Sequence, residues 1–445
     1  MALTGMQIYK LLPKTNCKDC GLPTCMAFAM QVAAKQKALT DCPHVSDEAK
    51  AALSEASTPP MKLVKIGPEG KQFELGQETV MFRHEEKFHR PCGIAVRIPS
   101  SLSDDEALKK SEQINGAVFQ RVGETLKVQF TAVEVDGCSN PAERAKKIAE
   151  KSSVPLILIG KDAAAMKSVC EAVKGYRPLI YRADASNSDG FIDIASSMKL
   201  PLAVGGGSLE ELAELTKKAK EKGVEDMMLS FGTENLGDTI RSLTIARRAA
   251  LKKNFRSLGY PAMVEITTDD QNDETVLGAA FAAKYAGILI INNMEPWQLL
   301  PIMAVIQNVY TDPQVPNTVD AKLYEIGNPD ENSPVLFTTN FSLTYFSVES
   351  EVERSKVPSY ICVVDTEGLG VLNAYAGDKI SAEKVVKTLE AQKVAEKVKH
   401  RKLIIPGLLP VFRAEIEDTS EWKEVLIGPE TAREIPAFLI SSWKS

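Results

Sequence analysis

Cys17, Cys20, Cys25 and Cys42 stand in the spacing C-x2-C-x4-C-x16-C near the start of the chain. Four thiolates so close together can converge on one metal centre. A tetrahedral zinc ion and an iron–sulfur cluster both suit them, and free thiols are the third reading. Zinc ribbons usually carry two C-x2-C knuckles, and this chain has one. Three ligands from one loop and a fourth from a later turn favour a [4Fe–4S] cluster. Gly21 and Pro23 allow a tight wrap between ligands, and Pro43 follows the last of them. Thr24 can cap a helix over "CMAFAMQVAAKQKAL", with Met26, Phe28, Met30 and Ala33 available for packing. Residues 1–57 are too few to hold a core alone, so a metal would supply the missing stability. The scattered Cys92, Cys138, Cys170 and Cys362 read as buried small hydrophobes.

The elements that must position this centre belong to a chain of 445 residues, long enough for two to four domains. With 44% hydrophobic and 25% charged residues the composition is that of a soluble globular protein. A net charge of −6 argues against nucleic acid as a partner. No apolar run approaches the ~20 residues of a membrane span. "MALTGMQIYKLLPK" has no apolar core or small-residue cleavage site of a signal peptide. A cytoplasmic location with reduced thiols is the expectation.

From Gly93 onward short apolar runs alternate with amphipathic stretches. The runs are 94–98, 128–135, 155–160, 178–183, 201–206, 227–232, 262–268 and 287–293. Eight strand–helix units predict a (β/α)8 TIM barrel over 93–325, with near-continuous apolar strands suited to a covered parallel sheet. Its sites would lie at the carboxyl ends of the strands, among Glu134, Asp136, Asn140, Asp184, Gly205–Gly207, Glu265, Thr267, Asn292 and Asn293. "GGG" at 205–207 could cradle a phosphate but more often only turns the chain. No histidine lies between residues 90 and 399, which disfavours a histidine-based or metal site in the barrel. Residues 58–92 read as a linker of short strands and turns, with His84 and His89 on the surface.

"NPDENSP" at 328–334 marks a boundary. Beyond it strands and helices alternate over 326–445, as in a small flavodoxin-like (Rossmann-like) domain. Its strand ends carry "DTEGLG" (365–370), "PGLLP" (406–410) and "GPETAREIP" (428–436), glycine-bearing loops whose backbone could approach a large flat ligand. Gly368 and Gly370 start a dinucleotide fingerprint, but Asn373 occupies the third small position, so an NAD site is discounted.

In this order the three parts resemble the large (gamma) subunit of the corrinoid iron–sulfur protein of the anaerobic acetyl-CoA pathway. The resemblance runs the whole length. "NCKDCGLPTCMAFAM", "DCP", the 93–317 barrel, "VVDTEGLGV" and "IIPGLLP" carry it. It implies a [4Fe–4S] cluster on the four cysteines, a barrel akin to pterin-binding methyltransferases, and a C-terminal corrinoid-binding domain. The cobamide (a vitamin B12 derivative) would be bound base-off. Corrinoid modules that ligate cobalt use histidine in D-x-H-x-x-G, and His44, His84, His89 and His400 all lack that context. The lining expected for the cobamide is Thr338, Thr339, Thr344, Asp365, Thr366, Gly368, Leu369, Gly370, Gly407, Leu408, Gly428, Pro429, Glu434 and Pro436.

The implied role is a methyl carrier of carbon dioxide fixation. Cobalt as Co(I) would accept the methyl of methyltetrahydrofolate through a separate methyltransferase. Methyl-Co(III) would deliver it to carbon monoxide dehydrogenase/acetyl-CoA synthase. The cluster, fed by a low-potential electron donor, would reduce inactive Co(II) back to Co(I). A smaller barrel subunit would complete a heterodimer. Segments 58–92 and 318–334 would serve as hinges. Whether the chain is itself an enzyme stays open. So do two other readings, an Fe–S electron carrier and a barrel methyltransferase with a structural metal site.

Overall fold

The computed structural model describes residues 5–33, 37, 41–46, 59–232 and 235–443. The chain divides into two compact units. One comprises 1–117 and 128–310, the other 118–127 and 311–445.

In the first unit two short helices, Gly5–Leu11 and Cys25–Ala33, pack through Ile8, Leu12, Phe28 and Ala29. The second helix is described only to Ala33, and the rest of the expected helical run lies mostly outside the described residues. Phe28 is buried as expected, whereas Met30 faces outward.

Next comes an antiparallel pair, β1 (Val64–Ile66) and β2 (Phe73–Leu75). It precedes β3 (Gly93–Ile98), the first barrel strand. A hairpin, β4 (Val118–Arg121) and β5 (Glu124–Lys127), interrupts the first strand-to-strand connection. Then follow β6 (Phe130–Glu134), β7 (Leu156–Ile159), β8 (Leu179–Ala183), β9 (Leu202–Gly205), β10 (Met227–Phe231), β11 (Ala262–Glu265) and β12 (Ala286–Ile291). β3 and β6–β12 close into a ring of eight, parallel throughout. All eight apolar runs of the sequence contribute a strand, because each is apolar on both faces and must be buried on both. Five of the intervening helices begin at side-chain caps. Ser103 and Glu106 form a reciprocal capping box, and Asp162, Ser208, Asn235 and Asp270 cap four more.

Residues 59–92 do not hang free. They fold across the amino-terminal end of the barrel, where Lys62 N donates to Gly259 O (2.8 Å) and Gly67 N to Arg177 O (3.0 Å). Arg177 in turn binds Asp226 and the Lys65 carbonyl. Phe73 meets Phe130 edge-on at 4.9 Å. Glu78 accepts the amides of His89 and Arg90 (both 2.9 Å) and pairs with Arg247 at 3.2 Å. The Arg247 guanidinium lies 4.7 Å from the Phe88 ring and 4.6 Å from that of Tyr285. Hinge motion expected in 58–92 has to break these contacts. His84 and His89 are exposed, as expected.

The second unit is a five-stranded sheet. Its strands are β13 (Leu323–Ile326), β14 (Val335–Thr339), β15 (Ser359–Val364), β16 (Lys402–Ile405) and β17 (Glu424–Ile427). The order is β13-β15-β14-β16-β17, with β13 antiparallel and the rest parallel. Helices cover both faces. Val335, Phe337, Cys362 and Leu403 pack on one side, and Leu336, Ile361, Val363 and Ile404 on the other. The hairpin turn at Gly123 (φ 72°) belongs here, since a Cβ at that residue would lie 2.3 Å from the Phe346 ring. Residues 317–319 are tied to this sheet by Val319 N to Asn340 O and Ser342 N to Asn317 O, both 2.9 Å, which narrows the expected 318–334 hinge.

Glu78→Ala tests the seal of the barrel. Removing one partner of a buried pair should cost about 3–5 kcal/mol in urea unfolding of the full chain. A loss within the ~1 kcal/mol range of exposed pairs would show that water screens this one.

Candidate functional site

The cysteine loop is wound tightly. Lys14, Asn16, Lys18 and Gly21 all take positive φ (59°, 49°, 69° and 80°). Only Gly21 does so without steric cost. Asn16 fastens the loop to the helix that follows. Its Oδ1 accepts from Cys25 N (2.8 Å), and its own amide donates to Cys25 Sγ (3.4 Å). Thr24 caps that helix as expected, accepting from Ala27 N at 3.1 Å. Cys20, Cys25 and Cys42 share one small core with Ile8, Leu12, Phe28 and Val45, while Cys17 is exposed at its rim. His44 Nε2 and Asp19 Oδ2 meet at 2.5 Å and bridge the two segments that carry the thiols. The His44 hydrogen bond, with a lesser one from Cys17, holds the Asp19 carboxyl below the usual carboxylate range. Thiols in an apolar shell with an N–H aimed at sulfur fit a thiolate-held metal centre.

Cys92, Cys170 and Cys362 are buried, and burial pushes their thiols up, Cys170 and Cys362 to about 12. They are inert packing, as expected. Cys138 departs from that expectation. It is half-buried in the turn after β6, where its amide reaches back to Val135 O (3.4 Å).

The second unit holds a cleft of about 500 Å³ at the carboxyl ends of its strands. It descends between the sheet (Leu336, Thr338, Ile404) and the Ser342–Ser355 helix (Leu343, Thr344, Ser347, Val348). Gly370–Asn373, Leu408, Gly428–Glu430 and Ile435 complete the wall. The lining is largely apolar. At its floor Thr338 is 1% exposed, and its hydroxyl has no hydrogen-bond partner among the described residues. A buried hydroxyl left unpaired costs about 1–3 kcal/mol, which a ligand that bonds it would recover.

Of the fourteen residues expected to line a cobamide, Thr338, Thr344, Gly370, Leu408, Gly428 and Pro429 do line the cleft. The others stand outside it. Thr339 alternates to the opposite face of the sheet, fully buried. Asp365, Thr366 and Gly368 are bound to Asn340, a residue the sequence reading passed over. Asn340 Oδ1 accepts from Thr366 N, Thr366 Oγ1 and Gly368 N (all 3.0 Å), and its Nδ2 donates to Asp365 Oδ1 (2.9 Å). Gly368 (φ 77°) also packs on Pro316, where a Cβ would come within 2.6 Å. Leu369 packs into the core beneath. Gly407 meets backbone, since a Cβ there would lie 2.4 Å from Gly428 O. Glu434 and Pro436 flank Ile435 without lining the cleft themselves. The only signal for Asn340 was its place directly after a strand, next to two threonines.

His400, the one histidine of this unit, stands outside the cleft lining. His400 is used elsewhere, with Nε2 bonded to Ser333 O (2.9 Å), Nδ1 accepting from Lys402 N (3.2 Å) and the ring edge-on to Trp443. Burial lowers its pKa and keeps it neutral.

In the barrel mouth Arg97 binds Glu134 (3.2 Å) and Glu265, and Tyr181 donates to Glu265 (2.8 Å). Burial, aided by Glu265, pushes the Tyr181 hydroxyl up, so it stays a donor. Asn292 and Asn293 instead hold Glu274.

Comparisons with known proteins give the family. The CO dehydrogenase/acetyl-CoA synthase delta subunit family matches residues 63–439, and an Fe-S cluster family matches residues 12–44. The chain is 42% identical over 440 residues to the corrinoid/iron-sulfur protein large subunit of Moorella thermoacetica, covering 98% of each. To the acetyl-CoA decarbonylase/synthase complex subunit gamma of Methanothermobacter thermautotrophicus it is 35% identical over 455 residues, 99% of each. A dihydropteroate synthase from Vibrio fischeri overlays 55% of this chain and 97% of its own at 14% identity, with a TM-score of 0.39. The family description says delta where the relatives say large or gamma, and the relatives, aligned from end to end, decide the subunit. The chain belongs to the family of the corrinoid/iron-sulfur protein large subunit, the gamma subunit of the acetyl-CoA decarbonylase/synthase complex.

Proposed function

We propose that this chain is a methyl carrier of the reductive acetyl-CoA pathway that binds a base-off cobamide in its C-terminal unit and a [4Fe–4S] cluster on Cys17, Cys20, Cys25 and Cys42. The apolar cleft with the unpaired Thr338 hydroxyl at its floor is the observation that carries the reading. When bound, the cobamide would supply a cobalt that exchanges a methyl group, and the cluster a one-electron reductant for it.

The chain's own residues do the holding. Leu336, Val348, Ile404 and Ile435 exclude water from the slot. Gly370 and Gly428 keep its walls free of side chains where a ring must come close. Asn340 fixes the 365–370 loop at the rim. Within this unit His400 stands outside the cleft lining, in keeping with a cobalt without protein nitrogen beneath it. The strand order, reversing between β15 and β16 around β14, supports a flavodoxin-like unit with its ligand at the switch point.

The partners that follow are a methyltetrahydrofolate methyltransferase, carbon monoxide dehydrogenase/acetyl-CoA synthase, a low-potential electron donor and the smaller barrel subunit, in the cytoplasm. A carrier serving several partners must turn between them. Its two units are joined at 117–118, 127–128 and 310–311, and any swing has to pass through those three chain crossings. A visible spectrum of the anaerobically purified protein separates this reading from a plain electron carrier, which would show no corrinoid bands.

Gly370→Val should abolish cobamide loading, followed by corrinoid absorbance, with the thermal midpoint retained. Its first added carbon would sit at ordinary contact distance, 3.5 Å from Thr344 Oγ1, and the branches would enter the cleft. Gly407→Ala should behave oppositely, destabilising the unit through a backbone clash. Full loading of Gly370→Val would remove the cleft from consideration. Cys17→Ala should lose iron and acid-labile sulfide while the C-terminal unit keeps its corrinoid, and reactivation of oxidised cobalt by a reduced donor should fail. Unchanged iron content would show that Cys17 is not a ligand.

A further inference from the structure

The carboxyl end of the barrel has acids that are already answered and two bases, Arg182 and Lys161, that no acid answers; the Arg182 guanidinium lies 5.9 Å over the Tyr181 ring. Glu134 accepts from Arg97 and from Ser100 N (3.0 Å), and Glu265 from Arg97 and Tyr181. Asp136 accepts the amides of Lys161 (2.6 Å) and Asp162 (3.4 Å). Asp184 accepts the amide (2.9 Å) and hydroxyl (2.6 Å) of Ser186. None of these carboxylates draws on the side chain of Arg182 or Lys161. Among the described residues neither cationic head has a hydrogen-bond or ion-pair partner, although both line a cavity of about 430 Å³ over the mouth. Arg182 also lines the adjoining cavity of about 630 Å³, beside Gly206, Gly207 and Ser208.

Arg182 is placed there by its neighbours. The pairing of β8 with β9 shifts register between Ile180 and Ala183, an irregularity that re-aims a side chain at a strand end. The stem then crosses Gly205, where a Cβ would lie 2.8 Å from Arg182 Cδ and 3.0 Å from Nε. Glycine at 205 therefore serves the arginine rather than a phosphate of its own.

We propose that Arg182, seconded by Lys161, is a binding site for a small molecule bearing one oxyanion group, a carboxylate or a phosphate. The planar guanidinium presents paired donors to such a group. Three cationic heads (Arg97, Lys161, Arg182) face four carboxylates (Glu134, Asp136, Asp184, Glu265), so the mouth as a whole is not cationic and disfavours a polyanion. The site shares no lining residue with the cleft of the second unit.

Ligand-observed NMR titrations of the full chain, purified anaerobically with its cofactors, test this at fixed ionic strength with inorganic phosphate and, separately, acetate. Saturable binding of either anion is expected, and which one binds identifies the group. Arg182→Gln should weaken it about tenfold. Gly205→Ala should weaken it severalfold by displacing the arginine stem. Circular dichroism of each variant checks folding, and if Gly205→Ala fails to fold, Arg182→Gln decides alone. No saturable binding of either anion, or unchanged affinity in a folded Arg182→Gln, overturns the proposal.

Discussion

Closing eight parallel strands into a ring sends every strand's carboxyl end to one rim and every amino end to the other. The two rims then meet different demands. Residues 59–92 cross the amino rim and satisfy groups that would otherwise be buried unpaired, with the Glu78–Arg247 pair inside the seal. The carboxyl rim is left to polar side chains that answer one another, with Arg97 bridging two carboxylates drawn from strands far apart in sequence. The amino end is sealed and the carboxyl end left polar, the end at which parallel barrels generally carry their sites.

The same rule shapes the second unit on a smaller scale. Four parallel strands with helices on both faces leave a gap where the strand order reverses, and the cleft lies there. Its rim is shaped by polar groups, because Asn340 satisfies three donors of the 365–370 loop at once and fixes that loop beside Gly370. The glycines of this region therefore do separate jobs. Gly368 and Gly407 let backbone meet its neighbours closely, while Gly370 leaves open the space that a ligand would use.

The cysteine segment is held by little apolar area. A core of Ile8, Leu12, Phe28, Ala29 and Val45 includes three of its own thiols. Asn16 and the Asp19–His44 contact join the loop to its surroundings, so the segment's order and the geometry of its sulfurs are coupled.

Much of this was legible along the chain. The cysteine spacing, the eight apolar runs and the glycine loops after the C-terminal strands are local properties, set by periodicity and residue type, and each stands in the structure where the sequence put it. What faces the cleft is not local. Thr338 and Thr339 are adjacent and chemically identical, yet the pleat turns the first into the cleft and the second away. Asn340, Asn16 and Arg182 acquire their roles from residues up to 28 positions distant, through contacts that exist only once the chain has folded. Residues 59–92 look like a linker because their partners, Arg177, Glu225, Arg247 and Gly259, lie far along the sequence. Residue type and spacing determined which elements form and which chemistry is available. Only tertiary packing, by fixing distances between side chains remote in sequence, decided which of those groups stand together in a site.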